Sequence, residues 1–295
     1  MVKYLIAQDT GLRFQWEIDV LLTNLYSLDA KADVVLLFAV KRADDPYLAH
    51  TVEKWGDRAS IHAYMDTRGI NKYVAATRPF LWYCYLAEDP KREQDTYLQL
   101  DSDVIFRELP DYTKMADGSW YGSDCHMYMD YEYLRTRTNG ESIVDNFARI
   151  MGIDRSVIEQ TEGAGAQWLL VKPTADYWLK VQSDCHKLSD YLDRVDSDIQ
   201  KWCAEMWAQL LNAPLFGAEY KVSSELDFCN PLDPPYRWKQ AKILHNSGVA
   251  SAEQKSQAMD KNAFRERTPF GADFSWVDKD RCTVHYVDAI NKVMV

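Results

Sequence analysis

The chain predicts a doubly wound α/β fold, and three observations predict it. Strand-like apolar runs alternate with helix-length amphipathic stripes through the first third of the sequence. A composition of 47% apolar and 13% aromatic residues over 295 positions is ample for a packed core. Two acids, Asp101 and Asp103, interrupt what otherwise reads as a buried strand, "YLQLDSDVIF", and so mark a strand end of the kind where such sheets bind ligands.

The elements follow in order. "VKYLIAQ" (2–8) is a strand, and Leu12, Trp16, Leu21, Leu22, Leu25 and Leu28 mark the apolar stripe of a helix. "ADVVLLFAV" (32–40) is apolar without alternation, as expected of a parallel strand covered on both faces. "ASIHAYM" (59–65) reads as a weaker strand, and a helix from Lys72 to Glu88 leads to "DTYLQLDSDVIF". Beyond Pro110 the pattern loosens. "GSWYGSDCHMYM" reads as a further strand, and 130–160 as polar helix. In "TEGAGAQWLLVKP" a Gly-bearing turn precedes the strand "WLLVK"; helices are expected at 174–193 and 195–212, and a loop-rich part from "FCNPLDPPYRW" onward. No repeat, low-complexity tract or linker divides the chain, so a single domain over 1–295 is expected.

The formal charge of -11 argues against a general basic surface that coats nucleic acid, though it is compatible with a local basic groove. Six cysteines without a C-x-x-C pair point to reduced, mostly buried thiols rather than a zinc site or a disulfide scaffold. The first apolar run meets Gln8 and Asp9 too early for a signal sequence, and no segment reaches about 18 uninterrupted apolar residues. The expectation is a protein of the cytoplasm, host cytoplasm for a viral protein included, with no membrane partner.

Asp-x-Asp pairs usually lie solvated in turns. Here apolar runs lead into and out of the pair, and oxygen ligands on so short a segment suit Mg²⁺ or Mn²⁺ completing its shell with substrate phosphates. His245 in "AKILHNSGV" sits where a strand meets a turn, a position for a third, nitrogen ligand; the other five histidines lack such a setting. Two chemistries share the acids: metal-dependent phosphohydrolases, and glycosyltransferases in which the metal bridges a nucleotide-sugar diphosphate. The first strand lacks the nucleophile context of the hydrolases. A nucleotide-sugar-binding module without turnover is the non-enzymatic alternative.

"LQLDSDVIF", "TRPFLWYCYL", "KWCAEMWAQLL" and "ILHNSGV" occur in the order found in GT-A glycosyltransferases, and most resemble the hydroxyproline O-arabinosyltransferase and peptidyl-serine galactosyltransferase group. Asn246 departs from that pattern, which favours an aromatic residue after the His. The resemblance, over about residues 1–250, implies a Rossmann-like nucleotide-sugar-binding fold with a mixed central sheet flanked by helices. It divides the domain into a nucleotide-binding half (1–110), an acceptor-binding half (111–250) and a C-terminal extension (251–295). It also implies a retaining transfer of a pentose or hexose from a UDP-sugar donor to a hydroxyl group. Asp101, Asp103 and His245 then hold Mn²⁺ or Mg²⁺. Lys72 and Arg78 reach the phosphates, Asp9 and Thr10 lie near the base or ribose, and Gln167 contacts sugar hydroxyls. Glu205, expected in mid-helix, faces the donor sugar. The acceptor is expected to be a protein hydroxyl or a hydroxymethylated or hydroxylated pyrimidine in DNA. For DNA, the aromatic and Arg-bearing segment 120–137 would stack a base and contact phosphate.

Overall fold

In the computed structural model, which describes residues 1–28, 33–69 and 73–293, strands β1 (Val2–Asp9), β2 (Asp33–Val40), β3 (Ala59–Met65) and β4 (Thr96–Leu100) run parallel. After the short β5 (Val104–Phe106), the strands β6 (Trp120–Asp124), β7 (Ala164–Val171) and β8 (Tyr220–Val222) extend the same sheet, with β7 antiparallel to β4. The seven-stranded order is β3-β2-β1-β4-β7-β6-β8, a mixed sheet. β9 (Phe228–Cys229) and β10 (Ile243–His245) join β5 in a separate three-stranded sheet, order β5-β10-β9.

The unbroken apolar run of β2 is explained by its two covers. Val34, Leu36 and Phe38 pack with Ile18, Leu21 and Leu25 of α1 (Leu12–Ser27) on one face. Val35, Leu37 and Ala39 pack with Phe80, Leu81 and Trp82 from a later helix on the other. Between these two helices lies α2 (Pro46–Trp55), which periodicity did not expose. Its signal is local: Asp45 accepts hydrogen bonds from the amides of Tyr47 and Leu48, and Pro46 occupies the first helical position, where a missing N–H costs nothing. The later helix, α3 (Thr77–Glu88), is tied to the helix Ala175–Leu192 by Trp82 and Trp178, stacked at 4.9 Å.

A third core cluster joins Trp16 and Val20 of α1, Ile105, Leu244, and the C-terminal residues Phe264, Tyr286 and Ile290. Trp16 donates its indole N–H to the Phe264 carbonyl at 2.9 Å, which fixes residues 261–264 beside α1. Among the described residues no helix is long and apolar enough to cross a membrane.

Two local expectations need correction. The helix expected over 195–212 begins only at Ala204, after a single tight turn at Lys201–Cys203; Val195 and Ile199 reach the core from non-helical backbone. The expected Gly-bearing turn before "WLLVK" is part of β7, which starts at Ala164. A Cβ on Gly163, just before the strand, would stand 2.3 Å from the His126 Cα, so this glycine serves a close approach of two backbone segments.

Candidate active site

β4 ends at Leu100 in the main sheet and β5 begins at Val104 in the small one, so Asp101, Ser102 and Asp103 form the step by which the chain leaves one sheet for the other. β10 runs antiparallel to β5 with His245 opposite Val104, and the Asn246 amide donates to the Asp103 carbonyl at 2.8 Å. That register delivers the imidazole to the acids. His245 Nε2 lies 3.3 Å from Asp101 Oδ2 and 3.3 Å from Asp103 Oδ1. One ligand atom from each of the three residues falls within 4.8 Å of the other two. An oxygen, oxygen, nitrogen donor set of this span fits a Mn²⁺ or Mg²⁺ ion, and the mixed set suits Mn²⁺ well.

On its far side His245 is backed by Gln167, whose Nε2 lies 3.5 Å from His245 Nδ1. β7 carries two extra residues opposite the Gly122/Ser123 step, and Ala166 adopts φ 52° there. The bulge turns the fully buried Gln167 side chain onto Ser123 Oγ, 2.7 Å from its Oε1, and onto His245. Gln167 thus stands behind the imidazole, enclosed by protein.

The acids face a cavity of about 310 Å³ at the carboxyl ends of β1 and β4, lined by Gln8, Asp9, Arg13, Glu17, Thr77, Arg78 and Lys261 among others. Gln8 Nε2 in its wall is buried and finds no hydrogen-bond partner among the described residues, as is fitting for a site that receives a polar ligand. Arg78, from the first turn of α3, pairs through Nη2 with Asp101 and lies 3.2 Å through Nη1 from Glu205 Oε2. Lys261 pairs with Asp103. Burial works to raise the Asp103 pKa, but Lys261 and His245 overcome it and hold the carboxyl well below the usual range. Burial likewise works to lower His245, and the two aspartates reverse it, so the imidazole is raised and favours its charged form.

Glu205 is 2% exposed and sits in the first turn of the helix Ala204–Asn212, not in mid-helix. Its amide, an N–H that has no partner within the helix, donates to the Tyr73 hydroxyl at 2.7 Å, and that hydroxyl donates to the Trp202 carbonyl at 2.8 Å. Burial first, then Asp101, raise the Glu205 pKa against the opposing Arg78. Asp9 accepts from Thr77 Oγ1 at 3.0 Å and lies 3.4 Å from the Arg68 guanidinium. Thr10 is not brought to the cavity lining: its hydroxyl donates to Asp45 at 2.8 Å and supports the α2 cap. Lys72 lies outside the described residues.

The aromatic residues of segment 120–137 divide: Tyr128 and Tyr131 are half-buried, and the Tyr128 ring lies 6.1 Å from that of the exposed Trp202. Trp120, Tyr121 and Tyr133 are buried, while Arg135 pairs with Glu132 and Arg137 with Asp198. Trp120 and Tyr121 are buried because 120–124 is strand β6 inside the main sheet, where aromatic side chains serve the core.

Three site residues escaped the sequence reading: Lys261, Glu17 and Tyr73. Glu17 had a signal, an acid inside the run "WEIDV" on a helix that buries this whole turn. Ser102 Oγ donates to its carboxylate at 2.6 Å. Burial, then repulsion from Asp103, push its carboxyl up to about 7, against Arg13, Lys261 and the Ser102 hydrogen bond. Since the folded value exceeds the ordinary 4.5, Glu17 contributes stability in full below about pH 4.5 and loses it as pH rises through about 7. Glu17→Gln is therefore expected to flatten the decline of melting temperature between about pH 5 and about pH 8. Equal declines in the two proteins would contradict the assignment.

No family model and no curated protein matches the sequence. Among solved structures, the chain is similar to the apo structure of the bifunctional glycosyltransferase WbbM, with TM-score 0.51, 9% identity and coverage of 99% of this chain and 50% of that one. The chain therefore spans about half the length of that protein. The galactosyltransferase LgtC with donor and acceptor sugar analogues gives TM-score 0.47, 14% identity and coverage of 100% and 97%. The glycosyltransferase GlyE of Streptococcus pneumoniae gives 0.47, 12%, 100% and 62%. At these identities the likeness concerns the fold, a GT-A-type mixed sheet flanked by helices.

Proposed function

We propose that the chain is a metal-dependent glycosyltransferase that moves a sugar from a UDP-sugar to a hydroxyl group. The observation that carries the reading is the convergence of Asp101, Asp103 and His245 with Arg78 and Lys261 at one cavity over the carboxyl ends of β1 and β4. Asp101, Asp103 and His245 hold the divalent ion, which when bound supplies Lewis-acid neutralisation of the charge that builds on a departing diphosphate. Arg78 and Lys261 point fixed positive charge at the same phosphates, in a partly closed cavity where such charge acts more strongly than in water. Gln8, Asp9 and Thr77 offer polar groups for the nucleoside. Gln167 orients His245.

Glu205 keeps negative charge one guanidinium away from the acids. There it positions Arg78 and stabilises positive charge developing on the donor sugar in a retaining transfer. The resemblance of "WCAEMW" and "ILHNSGV" to the arabinosyl- and galactosyltransferase group supports a protein hydroxyl as acceptor, with residues 111–250 forming the acceptor-binding half. Hydroxylated DNA has less support, since Trp120, Tyr121 and Tyr133 are buried and Arg135 and Arg137 are paired with acids of the chain.

The test is incubation with a panel of UDP-sugars and Mn²⁺, with and without hydroxyl-bearing peptides and hydroxymethylated DNA. Slow release of UDP from one donor, accelerated by an acceptor, is expected. Inorganic phosphate would assign a phosphohydrolase instead, and every donor left intact would assign a binding module.

A further inference from the structure

Both ligand carboxylates already carry a cation of the chain itself. Asp101 holds Arg78 on the oxygen that does not face His245, and Asp103 holds Lys261 in the same way. Neither cation is free to swing into solvent: the side chains of Arg78 and Lys261 are only 18% and 14% exposed. Arg78 is also tied to Glu205, and Lys261 belongs to the segment that the Trp16 to Phe264 hydrogen bond fixes beside α1. A divalent ion arriving alone would meet carboxylates that are already neutralised. It would also stand next to two confined positive charges, of which Arg78 would keep only Glu205 and Lys261 would give up its direct carboxylate partner.

We propose that Arg78 and Lys261 act as built-in counter-cations that keep the divalent ion out of the site until a nucleoside diphosphate arrives. The diphosphate brings the negative charge that releases both cations from Asp101 and Asp103, so metal and nucleotide bind as a pair. The inference rests on the metal and nucleotide reading of this site. Coupling between two ligands is reciprocal, so the factor by which UDP tightens Mn²⁺ equals the factor by which Mn²⁺ tightens UDP. A nucleotide's own phosphate oxygens also ligate metal, so coupling alone is not diagnostic. The distinguishing consequence is that removing a counter-cation must tighten Mn²⁺ in the absence of nucleotide.

The experiment follows free Mn²⁺ by its electron paramagnetic resonance signal during titration of the full chain, with and without saturating UDP. Mn²⁺ alone is expected to bind the natural protein at least about thirtyfold more weakly than with UDP, within the usual range of coupling between sites. Lys261→Gln, which still offers Asp103 a hydrogen bond, is expected to bind Mn²⁺ alone about tenfold more tightly than the natural protein and to show a correspondingly smaller effect of UDP. Lys261→Arg should keep the natural pattern, and Lys255→Gln, at an exposed lysine of the same C-terminal segment, should change Mn²⁺ binding by less than about twofold. If Lys261→Gln does not fold by circular dichroism, sulfate decides the matter in the natural protein, because it neutralises cations while ligating Mn²⁺ weakly. Tightening of Mn²⁺ by sulfate supports the counter-cations, and no tightening overturns them. Mn²⁺ binding that needs UDP in the natural protein but is no tighter in folded Lys261→Gln also overturns them and leaves the site reading standing. Failure to bind Mn²⁺ even with UDP defeats the site reading itself.

Discussion

Asp103→Ala is expected to lower turnover with the preferred UDP-sugar by about a hundredfold or more, equivalent to about 2.7 kcal/mol of lost transition-state stabilisation. Asp103 is 3% exposed and lies between His245 and Lys261, so truncation removes a metal ligand and strands a confined ammonium group at the same time. The two consequences separate experimentally. Asp103→Asn keeps the shape and can still accept from Lys261, so its melting temperature should stay closer to that of the natural protein while its turnover falls like that of Asp103→Ala. Treatment of the natural protein with EDTA should remove activity, and excess Mn²⁺ should restore it. Activity undiminished in EDTA, or an Asp103→Ala protein with natural turnover, would contradict the role given to the acid.

Glu205→Gln is expected to lower kcat for transfer by at least about tenfold while leaving the dissociation constant of the UDP-sugar within about threefold of the natural value. The amide occupies the same space and can still accept from Arg78, so the packing around the helix start and the Tyr73 bridge to Trp202 should survive. What is lost is negative charge held close to Asp101 through one guanidinium, and that charge matters most where positive charge develops in the transition state. Kinetics with kcat and the donor dissociation constant measured independently decide the point. Collapse of donor affinity with an unchanged kcat would make Glu205 a binding residue only.

The parts of this molecule that were legible in the sequence are those whose signal is local. The run of β2 announces a strand covered on both faces, and α1 and α3 cover it. Asp101 and Asp103 announce themselves by breaking an apolar run, and the break is the step between two sheets. His245 ends a strand, as its sequence setting suggests, and its meeting with the acids depends on the pairing of β10 with β5. Lys261 could not be found this way. It pairs with an acid 158 positions earlier, and nothing around "DKNAF" sets this lysine apart from other charged residues. Thr10 was placed at the site from its neighbour Asp9, but consecutive residues at a strand end point in different directions, and its hydroxyl goes to Asp45. Gln167 is expected from the sequence to contact sugar hydroxyls after a glycine-bearing turn; here one glycine serves a close backbone approach and a bulge directs the glutamine onto the imidazole.

Asp101, Asp103 and His245 are expected to hold a divalent ion together with a nucleoside diphosphate in the cavity above β1 and β4. Anomalous diffraction from crystals of the protein grown with Mn²⁺ and UDP tests it most directly. One strong manganese peak is expected within bonding reach of all three side chains, with diphosphate density beside it and Arg78 and Lys261 turned from the aspartates toward the phosphates. Manganese bound elsewhere, or diphosphate density in the cavity with Arg78 and Lys261 still on Asp101 and Asp103 and no metal between them, would contradict it.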